Sequence, residues 1–250
     1  MTDRRFLPSR RAALLSGGGL IAGAGAASAG WALADPAPAP AAATAAAVAA
    51  VIPPDDDLMR EHGVLKRVLL CYRKMITAAG SGGRLSPAHV RAAALIIHDY
   101  IEGFHEGLED GYIFPRLTRA GVLTGTVETL LVQHARGRVI TQFLLAHATG
   151  GQLASAGMTT RIAAGMQAFV TMYEPHEARE DTVVFPAFRQ LVSPAELTDL
   201  GQEFADLERQ QFGTDEFTAM VNQVAEIEQE LGINDLNQFT PVVTQYEPAE

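Results

Sequence analysis

Beyond about residue 55 the apolar positions recur with helical spacing, and glycine-rich breaks separate the runs. The strict apolar/polar alternation of a half-buried strand is scarce, so the chain reads as helical. The pattern predicts a first helix over about 55–79, opened by Asp55, Asp56 and Asp57 and closed by GSGG at 80–83. Acidic residues in a first turn suit the positive end of the helix dipole. A second helix starts after Ser86, with Pro87 in its first turn, and runs to about Arg119 before Gly121. A third covers about 126–148 and stops at Gly150-Gly151. The fourth covers about 159–191 and contains Pro175, whose missing N–H predicts a kink just before His176. Long helices joined by short loops become antiparallel neighbours. The expected fold is therefore all-α, an up-down-up-down four-helix bundle over 55–191. Ser193-Pro194-Ala195-Glu196 has a capping-box pattern that opens a fifth helix to about Gln211. A sixth runs from about Asp215 to Leu231, before Gly232. These two form an extension, 192–232, expected to pack on or lengthen the bundle, and 233–250 reads as an irregular tail.

The first fifty residues follow a different pattern. SRRAALL at 9–15 leads into a mildly apolar Gly/Ala run that ends near Ala34. Basic-then-apolar is the layout of an export signal over 1–34, with Ala32-Leu33-Ala34 the expected cleavage site and a cut after Ala27-Ser28-Ala29 the alternative. The Arg10-Arg11 pair resembles the twin-arginine signal, whose pathway moves folded proteins, so a periplasmic or other extracytoplasmic location is expected. A cleaved signal leaves no stable membrane insertion. An uncleaved segment acting as a membrane anchor is the alternative, because the run could nearly span a bilayer. No lipobox cysteine follows it. PAPAPAAATAAAVAA at 36–50 is low-complexity tether sequence, which makes 35–54 an Ala/Pro-rich linker.

With 48% hydrophobic and 19% charged residues, the 250-residue chain can bury a sizeable core. A formal charge of -10 argues against nucleic acid, which needs a basic face. Cys71 is the single cysteine, which excludes an intramolecular disulfide and a cysteine-rich metal site. Metal chemistry would have to use nitrogen and oxygen ligands.

Such ligands stand out as a repeat. HEGLEDGYIFP at 105–115 reappears as HEAREDTVVFP at 176–186, so that His105 and His176, and Glu109 and Glu180, are each 71 positions apart. His62 in REHGVLKR and His134 in VQHARGR lie 72 apart. Each copy thus carries a lone His followed later by His-x-x-x-Glu. Residues four apart on an α-helix differ by about 40° in direction, so each His and its Glu share a face. Four imidazoles and two carboxylates on four helices suggest a binuclear metal centre; such ligands suit iron, manganese or zinc, and carboxylates can bridge two cations. A lone His is more often structural than a ligand, and a single i,i+4 polar pair is common on solvated faces. The matched register of both copies outweighs those readings. Phe-Pro at 114–115 and 185–186 is expected to pack Phe in the core and bend the helix end. His98, seven residues before His105 and about 20° off its stripe, is expected either near the ligands or as a packed core residue. His89 and His147 should face outward, and Cys71 should be buried and inert.

With these residues in hand, the chain resembles the hemerythrin family, specifically its bacterial hemerythrin-like, HHE cation-binding branch, over about residues 55–191. The resemblance implies a four-helix bundle holding a non-haem di-iron centre, bridged by two carboxylates and an oxo or hydroxo species. Carried over by residue, His62 and His105 would hold one iron, His134 and His176 the other, and Glu109 and Glu180 would bridge. Zinc or manganese is the alternative metal. Oxygen-carrying hemerythrins have a second third-helix His four residues after the first, where this chain has Arg138. Their fourth-helix carboxylate is an Asp five residues after its His; here Glu180 stands at four, with Asp181 beside it. The pattern H…HxxxE…H…HxxxE matches the hemerythrin-like branch. The absent imidazole weakens the case for reversible oxygen carriage and leaves each iron more open, or completed by water, a tyrosine or another carboxylate. Tyr173, about 60° from His176, is the nearest tyrosine. Lys66 and Arg138 occupy equivalent slots four residues after His62 and His134 and suggest paired cations behind the ligands. Three classes of function follow: a module binding O2, NO or H2O2 or sensing iron or redox state, an enzyme consuming hydrogen peroxide or oxidising a small molecule, and a structural zinc or manganese bundle. HEGLE and HEARE lack the second His of a zinc-protease motif, and no phosphate loop or dinucleotide fingerprint is present.

Overall fold

The computed structural model describes residues 51–213 and 216–243. The export signal and nearly all of the linker lie outside the described residues. Among the described residues there is no strand. Six long helices are α1 (Pro54–Gly80), α2 (87–120), α3 (Thr124–His147), α4 (156–189), α5 (Pro194–Phe212) and α6 (Glu216–Glu230). The fold is all-α, with short helical turns at Gly150–Leu153 and Leu236–Phe239. The second of these falls in the stretch expected to be irregular. Ser86 caps α2 by accepting the His89 N–H, and Ser193 caps α5 by accepting the Glu196 N–H.

α1 packs against α2 and α4, and α3 packs against the same two helices, the neighbour pattern of a four-helix bundle. Leu58, Leu65, Val68, Tyr72, Ile97, Met166, Phe169 and Val170 are among its fully buried residues. Because consecutive helices alternate in direction, the early turns of α1 and α3 share a level with the C-terminal halves of α2 and α4. His62, His134, His105 and His176 sit at that level, and all are buried.

The extension covers the α1–α2 side. Phe212 of α5 packs on Phe104 and Tyr100, and Phe204 meets the Tyr112 ring edge-on. Arg67 forms a two-pronged ion pair with Glu228 of α6, at 3.0 and 2.6 Å. α5 also passes so close to residues 51–52 that a Cβ on Gly201 would stand 2.2 Å from the Ile52 carbonyl oxygen. No helix among the described residues is long and apolar enough to cross a membrane.

Three stretches have the wider π-helical turn: Ile96–His105, Glu109–Ile113 and Glu180–Val184. The last two begin at the same Glu-Asp of the repeated frame, and such turns are frequent at functional sites. Pro115 and Pro186 stand in the first turn of the α-helical segments that follow. Each stands where α geometry resumes after the wider turn, a position at which a missing N–H is tolerated. Pro175 lies inside an α-helical stretch that runs through Arg179, and the change to the wider turn comes at Glu180. Pro175 is solvent-exposed, so water can serve the carbonyl deprived of its N–H partner.

Candidate metal centre

The duplicated frame folds into two clusters, His62–His105–Glu109 and His134–His176–Glu180, each with ligand atoms within 4.8 Å of one another. His62 and His105 approach Nε2 to Nε2 at 3.1 Å, and His134 and His176 at 3.2 Å. The carboxylates join the clusters. Glu109 Oε1 is 3.5 Å from His105 Nε2, and its Oε2 is 3.4 Å from His134 Nε2. Glu180 Oε2 lies 3.1 Å from His176 Nε2 and 3.5 Å from His62 Nε2. Each carboxylate therefore faces an imidazole of both pairs.

Every ring is held from behind. His62 Nδ1 is 2.7 Å from Asp181 Oδ1, and His105 Nδ1 is 2.7 Å from Glu61 Oε2. His134 Nδ1 is 3.0 Å from Asp110 Oδ1, and His176 Nδ1 is 2.8 Å from Gln133 Oε1. These oxygens only accept, so Nδ1 carries the proton and donates, which leaves the Nε2 lone pair pointing inward in each neutral ring. An outer acceptor that fixes the tautomer and orientation of a ligating His is the usual arrangement behind a metal. Phe185 stacks on His62 and Phe114 on His134, both with ring centroids 5.7 Å apart. The Phe of each Phe-Pro thus packs against a ligand candidate as well as in the core.

The interior fits bound cations. All four oxygens of Glu109 and Glu180 are buried with no hydrogen-bond partner. Unpaired buried carboxylates are costly, as are facing lone pairs about 3 Å apart, and cations between the clusters would relieve both. Without cations, protons take their place. Burial alone would lower the His62 pKa, but the hydrogen bond to Asp181 and the nearby Glu180 carboxylate outweigh it and push it up to about 9. His134 is likewise pushed to about 9, because Asp110 and Glu109 overcome its burial. For Glu180 burial acts upward, yet the imidazoles of His176 and His62 hold it well below the usual carboxylate range.

Lys66 and Arg138 stand in matching places behind the rings. Lys66 is 3.3 Å from Asp181 and 3.8 Å from Glu177; Arg138 is 2.6 Å from Glu106 and 3.5 Å from Asp110. Tyr173 leans on His176 with ring centroids 5.0 Å apart, and its hydroxyl donates to Glu106 Oε1 at 2.6 Å instead of pointing at the clusters. His98 does not join the site and is not packed in the core; it is exposed and pairs with Asp99 at 2.6 Å. The wide turns of Ile96–His105 advance each residue by less than the α-helical angle, so seven residues no longer return to the His105 face. His89 and His147 are partly buried rather than freely exposed; they contact Glu230 and the Phe143 carbonyl. Cys71 is buried, and burial pushes its thiol up to about 12.

Sequence reading missed Glu61, Gln133, Asp110 and Asp181 as acceptors behind the rings, and the buried Glu106 and Glu177. A signal existed for all six. Glu61 and Gln133 each immediately precede a lone His, while the others fall inside the repeated frame.

A family model described as the hemerythrin HHE cation binding domain matches residues 54–188. Two mycobacterial relatives, the uncharacterized proteins Rv1995 of Mycobacterium tuberculosis and Mb2018 of Mycobacterium bovis, are each 46% identical to the chain over 186 residues. The match spans 74% of this chain and 73% of either relative. No solved structure matches the chain.

Proposed function

The chain belongs to the hemerythrin HHE cation-binding family, and on that premise we propose that it is an exported non-haem di-iron protein that binds or senses a small ligand, O2, NO or peroxide. The observation that carries this reading is the placement of Glu109, with one oxygen toward His105 and the other toward His134. A carboxylate so placed serves two ions at once and offsets their mutual repulsion.

The donor count separates what iron and zinc would do at this site. Two imidazoles and an oxygen from each shared carboxylate give four protein donors per ion. Four donors would close a tetrahedral zinc site, whereas six-coordinate iron would keep positions for small molecules. Iron bound there supplies those open positions and reversible redox chemistry. The protein's part is to fix four Nε2 donors through Asp181, Glu61, Asp110 and Gln133, and to keep the pocket dry with Phe114 and Phe185. Iron state or redox poise, sensed through occupancy of the same ligands, is the companion form of this reading.

Optical spectroscopy of the purified chain tests it. A near-ultraviolet band of an oxo-bridged pair that shifts on adding NO or azide is the expected result. A silent spectrum would favour the structural zinc reading, and rapid peroxide turnover without a stable adduct would favour an enzyme.

Export rests on the Arg10-Arg11 pair ahead of the apolar run. Imidazole–carboxylate sites discriminate poorly against copper and zinc. Loading iron in the cytoplasm and exporting the closed bundle would avoid that competition.

A further inference from the structure

The four rings are not held alike. Three Nδ1 atoms face carboxylates, and the fourth, that of His176, faces the neutral amide of Gln133. Glu61 and Gln133 are the matching positions of the duplication, each immediately before a lone His. Their surroundings diverge as sharply as their charge. Glu61 is 1% exposed and also accepts the Tyr100 hydroxyl at 3.0 Å. Tyr100 packs on Phe104 and Phe212, so α5, which lies beyond the matched family region, closes over this half. Gln133 is partly exposed and borders a groove of about 400 Å³ between α3 and α4, with Thr126, Thr129, Pro175, His176 and Arg179.

Resting on the di-iron reading above, we propose that the two halves hold their ions unequally. The ion between His62 and His105 is resident, the ion between His134 and His176 is exchangeable, and Glu61 against Gln133 sets the difference.

Charge and access act in the same direction. A carboxylate behind an imidazole makes the ring a stronger donor, and losing such an outer partner typically weakens metal binding about 10- to 100-fold. His105 has that support; His176 has only an amide dipole. The groove is lined by Gln133 together with His176, so Gln133 has room to turn into it and release the ring. No comparable freedom exists for Glu61, which Tyr100 pins. The next carboxylates add to the imbalance. Each keeps a buried oxygen without a hydrogen-bond partner, but Glu177, on the His62 side, stands 3.8 Å from Lys66, whereas Glu106 is held at 2.6 Å by both the Tyr173 hydroxyl and Arg138.

Iron release from the full chain, loaded to two ions and reduced, into an excess of a strong ferrous chelator tests the proposal. The wild type should release iron in two phases of equal amplitude, at rates at least about tenfold apart. Gln133→Glu should slow the fast phase toward the slow one, and Glu61→Gln should speed the slow phase toward the fast one. Both changes preserve side-chain shape and ring contacts. Release in one phase, or a fast phase untouched by Gln133→Glu, overturns the proposal while leaving the di-iron reading intact. A wild-type chain that never loads two irons removes the reading itself.

Discussion

A Cβ on Gly137 would stand 2.3 Å from the phenolic oxygen of Tyr173, so α3 approaches α4 closely there because residue 137 has no side chain. The hydroxyl beneath it is committed to Glu106 at 2.6 Å and cannot swing aside without breaking a buried hydrogen bond. Gly137→Ala gains about 1 kcal/mol of helix propensity, while overpacking and the lost bond cost about 1–3 kcal/mol each. A lower denaturation midpoint is expected, with part of the loss recovered when Tyr173→Phe is added to the same chain. A midpoint that rises on Gly137→Ala would show that Tyr173 yields freely.

Shared carboxylates make a distinctive pattern of metal loss. Removing Glu109 or Glu180 by substitution with Ala should deplete both ions, because each faces imidazoles of both clusters. His62→Ala should chiefly deplete the ion it shares with His105. Metal analysis of the three variants checks this; full occupancy and an unchanged spectrum in Glu180→Ala would contradict the bridging role.

The helices and the six central residues were legible because two periods are written in the sequence, the helical spacing of apolar residues and the offset of 71 to 72 between the half-sites. The wide turns were not. Their i→i+5 hydrogen bonds leave no compositional mark, and assuming α geometry throughout put His98 on the wrong face. Glu61 and Gln133 read as ordinary polar helix residues until the fold brought them behind His105 and His176. Tertiary packing alone decides that α5 and α6 cover the α1–α2 side, since their apolar stripes specify burial and not a partner.

Burial gives the bundle a pH dependence through Glu102, whose carboxyl is pushed up to about 7 against the opposing hydrogen bond from Thr141. Folding therefore favours the protonated form. The stabilisation is full below the ordinary pKa of about 4.5 and is lost as pH rises through about 7. Glu102→Gln removes the charge but can still accept from Thr141. Relative to wild type it should gain roughly 2–3 kcal/mol at pH 8 and little at pH 4.5. Equal stability of the two chains across that range, by denaturant unfolding, would refute the assignment.

If the Arg10-Arg11 pair directs export as proposed, export and metal loading should be separable. Changing Arg10 and Arg11 to Lys should leave unprocessed chain in the cytoplasm, still carrying iron. If export of that variant is unimpaired, the chain crosses by the general unfolded route and acquires its metal afterwards.

Elemental analysis of the purified chain after iron-replete expression bears most directly on the central claim. Two clusters sharing Glu109 and Glu180 predict two iron ions per chain, lost together when either carboxylate is removed. A single tightly bound ion, or zinc alone, would contradict the account.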